Sequence, residues 1–227
     1  GIAVMNYVNF TPWVGKDYQN GFGETKLKLL VLGESHYCNA LGKGICTDCC
    51  LQNCLNQGYS KADYVEQTIT YIDELVHAYT GELYQQTGLC FERAVVGREL
   101  SDFEREDFWN HVVFYNYIQK DLPKRENERT PITENDLIGA EDAFREVLET
   151  YMPDRVVALG ARLFDGLLPN WKGGVGSKLK LSDGNETDIW TYQVNGKSIP
   201  VMRIHHPSTP SGKAWEYWHK FYEVFLK

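Results

Sequence analysis

Two polar segments stand directly behind hydrophobic runs. Gly33-Glu34-Ser35-His36-Tyr37 follows Lys28 to Leu32, and His205-His206-Pro207-Ser208 follows Ile199 to Ile204. A third run, Val112 to Tyr117, carries Asn116 near its end, and a fourth, Arg155 to Leu159, stops at Gly160. These side chains suit recognition and acid–base chemistry. Imidazole exchanges a proton near neutral pH, a carboxylate positions water, and an amide offers a donor beside an acceptor to the edge of a heterocycle. Gathered at one rim, they can bind a heterocycle, stabilise a departing anion and hold a water. Each also has a structural reading: Asn116 as a strand-end cap, His205 as a buried hydrogen-bonded ring, Tyr37 as a rim aromatic packed on a helix.

A parallel sheet would bring them together. The four runs are short, aliphatic or β-branched, and separated by longer helical patterns, which favours parallel strands covered on both faces. The expected fold is therefore α/β, a three-layer sandwich around a central four-stranded parallel sheet. In such sheets ligands bind beyond the carboxyl ends of the strands.

The intervening helices follow from periodicity. Val65, Ile69, Ile72, Val76 and Tyr79 recur every three or four residues and predict a helix over Tyr64 to Tyr79 with that stripe in the core. Ser101 and Glu104 form a capping pattern at the start of a second helix. After an exposed loop over Asp121 to Pro131, Thr133 with Asp136 opens a third, with Leu137, Phe144, Val147 and Leu148 inward and Pro153 past its end. Ala161 to Leu168 suits a short helix. A last one from about Lys213 carries a core stripe of Trp215, Trp218, Tyr222 and Phe225. The turn dipeptides Asp183-Gly184 and Asn195-Gly196 predict a hairpin within Lys178 to Ile204. The glycine-rich stretch Trp171 to Gly176 lacks the spacing of a phosphate-binding loop.

The rim residues carry a family resemblance. Gly33-Glu34-Ser35-His36-Tyr37 after the first strand, with His206-Pro207-Ser208-Thr209-Pro210-Ser211 after the last, resembles the two signature motifs of the uracil-DNA glycosylase superfamily. Asn116 resembles the asparagine that reads the edge of uracil in that family. The resemblance runs from about Leu27 to the C-terminus. It implies a uracil-DNA glycosylase-like fold over a single domain, residues 1–227, and hydrolysis of the N-glycosidic bond to uracil or a related damaged base. It makes Glu34 and His206 the catalytic pair, Glu34 holding the water and His206 stabilising the leaving base. Gly33, Ser35, His36, Tyr37, Asn116 and Ser208 become substrate contacts. The implied partner is DNA containing uracil or a damaged base, single-stranded DNA included. This chain departs from the best-known branch at Ser35, where an aspartate aligns the water, and at Thr209-Pro210, where a leucine wedge enters the duplex.

Composition narrows the alternatives. Of 227 residues, 23 are Lys or Arg and 31 Asp or Glu, a formal charge of −8, which disfavours non-specific coating of nucleic acid. No apolar run approaches the ~20 residues of a membrane span, so no membrane partner is expected. Gly1 to Phe10 lacks the pattern of a signal peptide, which points to a cytoplasmic location. Five of six cysteines fall between Cys38 and Cys54. Cys46, Cys49, Cys50 and Cys54 read as a structural zinc or iron–sulfur site or as a thiol-rich loop. The glycosidic chemistry itself requires no cofactor. Two rival functions stand beside it: a non-catalytic nucleobase-binding protein on the same scaffold, and a metal-dependent hydrolase with His36, His205, His206 and Glu34 as ligands.

Overall fold

Leu29, Leu30, Val31 and Leu32 are all fully buried, yet they serve two different cores. Alternate side chains of a strand point to opposite faces, so Leu29 and Val31 join one cluster and Leu30 and Leu32 the other. The computed structural model describes residues 5–38, 61–125 and 129–227. Its strands are β1 (Trp13–Val14), β2 (Leu29–Gly33), β3 (Tyr37–Cys38), β4 (Val112–Asn116), β5 (Leu122–Pro123), β6 (Arg155–Leu159), β7 (Val175–Lys180), β8 (Glu186–Val194) and β9 (Lys197–Ile204). The helices are α1 (Lys61–Val65), α2 (Gln67–His77), α3 (Leu83–Val96), α4 (Asp102–Trp109), α5 (Ala140–Tyr151) and α6 (Trp215–Phe225).

The main sheet has the order β1-β4-β2-β6-β9-β8-β7. Its centre, β4-β2-β6-β9, is parallel throughout and consists of the four strands expected from sequence. The sheet is wider than that expectation: β1 and β8 add antiparallel to the two sides, and β7 pairs antiparallel with β8. Two successive hairpins thus replace the single expected one, with turns at Asp183-Gly184 and at Asn195-Gly196.

One cluster lies between the sheet and residues of α2, α3, α4 and α6, the other between the sheet and α5 with Leu163. The result is three layers. Among the described residues, no helix is long and apolar enough to cross a membrane.

Several local expectations shift. The helix expected over Tyr64 to Tyr79 is two, α1 and α2; of the expected stripe Ile72 is fully buried and Val76 packs at the edge of the core, Tyr79 is exposed, and Tyr64, Thr68 and Leu75 complete the buried face. The capping box of Ser101 and Glu104 forms at the start of α4. Thr133 and Asp136 instead cap a short 3₁₀ turn, Glu134–Leu137, and α5 begins only after Gly139. The helical turn after β6 is wound as a π-helix over Leu163–Leu167.

Helix α3 has no counterpart in the sequence reading. A Cβ at Gly88 would overlap the Leu75 side chain, so the glycine lets α3 approach α2 closely and leaves a gap in the apolar periodicity. Within the same layer Glu92 of α3 accepts hydrogen bonds from Arg105 (3.0 Å) and from the indole of Trp109 (2.8 Å) of α4.

Candidate functional site

The register levels the strand ends. Gly33 of β2 pairs with Asn116 of β4, Leu32 with Ala158 of β6, and Leu159 with Ile204 of β9. Asn116, Gly33, Leu159 and Ile204 therefore form one row, and the segments starting at Glu34, Gly160 and His205 leave the sheet at a common rim. The chain runs from β2 outward to β4 on one side and from β6 to β9 on the other, so the strand order reverses between β2 and β6. Such reversals are where doubly wound sheets bind ligands, at the carboxyl ends of the strands. Three spacings of about 4.8 Å put β4 roughly 14 Å from β9.

Backbone hydrogen bonds fix the segment after β2 against the segment after β4. The amides of Tyr117, Ile118 and Leu122 donate to the carbonyls of Gly33 (3.0 Å), Glu34 (2.9 Å) and His36 (2.9 Å). Strands β3 and β5 continue this pairing as a two-stranded parallel ladder. Buried Gln119 closes the turn after β4, its amide donating to the carbonyls of Asn116 (2.8 Å) and Tyr117 (3.2 Å) and to the Tyr115 hydroxyl (3.0 Å).

Asn116 is 5% exposed. Its Nδ2 donates to Nε2 of His36 at 3.0 Å, and the Thr68 hydroxyl reaches the same nitrogen at 2.8 Å. A Cβ on Gly33 would overlap Asn116 Oδ1, so the amide lies against bare backbone that only glycine provides. The His36 ring meets Phe10 edge to face, with centroids 5.1 Å apart. Burial pushes the His36 pKa down from 6.5 to about 4, and the ring is neutral at physiological pH.

Glu34 is 8% exposed and its carboxylate is held by arginine. Nε of Arg162 donates to Oε2 at 2.9 Å and Nη2 to Oε1, a two-pronged pairing that fixes orientation as well as charge. Arg129 approaches Oε2 at 3.7 Å, and the Ser35 hydroxyl donates to Oε1 at 3.3 Å. Nη1 of Arg162 in turn donates to the Thr130 carbonyl at 2.7 Å. The carboxylate keeps the Arg162 guanidinium more firmly charged, with a smaller contribution from the Tyr37 side chain nearby.

His206 faces this cluster. Its pKa is lowered first by burial, with Glu34 opposing and Arg129 and Arg162 reinforcing the shift. Its Nδ1 accepts from the Ser208 amide at 3.1 Å and lies 2.7 Å from the Ser208 hydroxyl. An amide N–H can only donate, so the neutral ring carries its proton on Nε2. His206 also lies against Gly160, where an added Cβ would sit 3.5 Å from that of His206. His205 turns elsewhere, its Nδ1 2.7 Å from the Ser211 hydroxyl and its ring 5.0 Å from that of Trp218.

Two sub-clusters therefore share the rim: Asn116 with His36 and Thr68, and Glu34 with Ser35, Arg162, Arg129 and His206. Tyr37 is exposed at the edge, and Ser208 spends both its amide and its hydroxyl on His206. Sequence reasoning missed Thr68, Arg129 and Arg162. The signal for Thr68 was a lone hydroxyl in the 64/68/72/75 stripe; that for Arg162 was a charge two residues past the strand-ending Gly160.

No three His, Cys, Asp or Glu side chains among the described residues converge as metal ligands. His36, His205 and His206 each direct a ring nitrogen to a different partner. Cys46, Cys49, Cys50 and Cys54 lie outside the described residues. Beside the site, Asp121 is buried and receives Gln67 Nε2 at 3.2 Å on Oδ2, while its Oδ1 has no hydrogen-bond partner among the described residues. Burial raises its pKa from 3.8 to about 6. Comparison with protein-family models gave no match, and comparison with curated proteins gave none either.

Proposed function

We propose that this rim reads and releases a base, as in the uracil-DNA glycosylases that its motifs resemble: the chain hydrolyses the N-glycosidic bond to uracil or a related damaged base in DNA. The observation that supports this best is the pairing, at one sheet end, of a buried, oriented amide at Asn116 with a neutral imidazole at His206 whose Nε2 proton has no hydrogen-bond partner among the described residues. A base in duplex DNA is out of reach of such a rim, so the target nucleotide is flipped out or comes from a single strand.

Asn116 takes the edge of the base. Cleavage then leaves positive charge on the sugar and negative charge on the departing ring. A donor aimed at a ring carbonyl gains strength as that charge develops, so it lowers the barrier more than it tightens binding. His206 supplies that donor through Nε2–H. Glu34, oriented by Arg162, holds the attacking water and faces the sugar cation. Arg129 and Arg162 add local positive charge for a phosphate backbone despite the acidic whole.

Uracil-containing single-stranded and duplex oligonucleotides, followed by alkali, test the reading. Nicking by wild type that Asn116→Ala abolishes supports it; equal nicking by both overturns it. One observation favours a second reading. Both Glu34 oxygens are engaged by Arg162, which leaves the carboxylate little room to hold a water, and this suits a protein that binds the base without cleaving. Uracil-specific binding with every glycosidic bond intact would select it.

A further inference from the structure

We propose that His36 is a positioning residue that sets which base edge Asn116 accepts, selecting a ring that presents N–H beside C=O, as uracil does, over one that presents a bare ring nitrogen beside an amino group, as cytosine does. The inference rests on the base-reading role proposed for Asn116 and deepens it.

A side-chain amide is nearly symmetric in shape, so an unconstrained asparagine can turn over and pair with either edge. Discrimination needs something that distinguishes its nitrogen from its oxygen. Here Nδ2 faces His36 Nε2 at 3.0 Å. Because Nδ2 only donates, Nε2 accepts, and the neutral ring carries its proton on Nδ1. Turning the amide over would set Oδ1 against the Nε2 lone pair, acceptor against acceptor, in a buried place where unmet polar groups are costly.

Thr68 stands beside the same nitrogen, its hydroxyl 2.8 Å away, and with Nε2 unprotonated that hydroxyl shares the lone pair as a second donor. Burial without an acidic partner keeps the ring neutral, so the lock holds at physiological pH. With one Nδ2 proton spent on His36, Oδ1 and the other Nδ2 proton remain as the reading edge. Oδ1 requires a donor and Nδ2 an acceptor: N3–H and O4 of uracil satisfy both, whereas N3 and the 4-amino group of cytosine oppose both.

The test measures binding by fluorescence anisotropy with single-stranded oligonucleotides carrying one 2′-fluoro-deoxyuridine or 2′-fluoro-deoxycytidine, in which the fluorine slows glycosidic cleavage. The wild type is expected to prefer uracil by about 10- to 100-fold, the range of one two-point edge contact. His36→Phe, which keeps a ring against Phe10, is expected to bring that ratio below about 3-fold, mainly by tighter cytosine binding. Thr68→Val should lower it by a smaller factor.

Nitrogen-15 NMR of the wild type supplies a readout independent of binding, and it decides the matter should His36→Phe fail to fold. The Nδ1–H tautomer of His36 is expected, and the Nε2–H tautomer overturns the proposal. An unchanged uracil preference in folded His36→Phe overturns it too, while leaving Asn116 as the base reader. A wild type that does not distinguish the two oligonucleotides removes the base-reading role and this inference together.

Discussion

Replacing Arg162 with methionine should expose how the rim is held together. Glu34 is 8% and Arg162 21% exposed at the side chain, so the change strands a nearly buried carboxylate. Breaking a fully buried pair by removing one partner costs about 3–5 kcal/mol. Two features reduce that here: Arg162 is partly solvated, and Arg129 stays 3.7 Å from Oε2. The expected loss is about 2–3 kcal/mol, which at roughly 2–4 °C per kcal/mol for a chain of this size lowers Tm by about 5–10 °C. Urea unfolding at pH 7 of the wild type, Arg162→Met, Glu34→Gln and the double variant measures it. The double variant should recover more than half of the loss, a coupling of about 1.5 kcal/mol or more. A single-variant loss under about 0.5 kcal/mol, or strictly additive losses, would mean that the pair behaves as an exposed ion pair and does not organise the site.

Two other perturbations probe the same rim. Gly33→Ala forces a methyl group onto Asn116 Oδ1 and should weaken uracil binding by about 10-fold or more, as a displaced polar contact does; anisotropy with a uracil oligonucleotide would contradict this by showing unchanged affinity in a folded variant. Asp121 is raised from 3.8 to about 6, so between those values the folded state binds more protons than the unfolded one. Stability should then fall as pH rises from about 4 to 6, by up to roughly 3 kcal/mol. Asp121→Asn should remove that slope and be more stable than wild type at pH 7. Identical pH profiles for the two proteins would refute the assignment.

The four central strands were legible because each is built on a short, mainly apolar run, buried along its whole length in β2 and β4, and the polar residues behind them marked the rim. What escaped the sequence depends on pairings between distant positions. Arg162 reaches Glu34 across 128 positions, and no periodicity announces such a partner. Thr68 reads as one polar residue on a helix until the fold turns it toward His36. Helix α3 was hidden by Gly88, where contact with Leu75 replaces the side chain that would have completed the stripe. Strand β7 is exposed along nearly its whole length and β8 alternates, a pattern that signals a hairpin but not which sheet edge it extends. Asn116, Glu34 and His206 could be named from their places behind the strands, whereas the direction of each side chain came only from its partners.

Titration of nitrogen-15-labelled protein with a uracil-containing single-stranded oligonucleotide tests the shared rim most directly. The Asn116 side-chain amide, the Gly33 backbone amide and the His206 ring nitrogens should shift together along one binding curve, while a cytosine oligonucleotide moves them little. Separate curves for these three groups, or shifts confined to surfaces away from them, would contradict a single base-binding site.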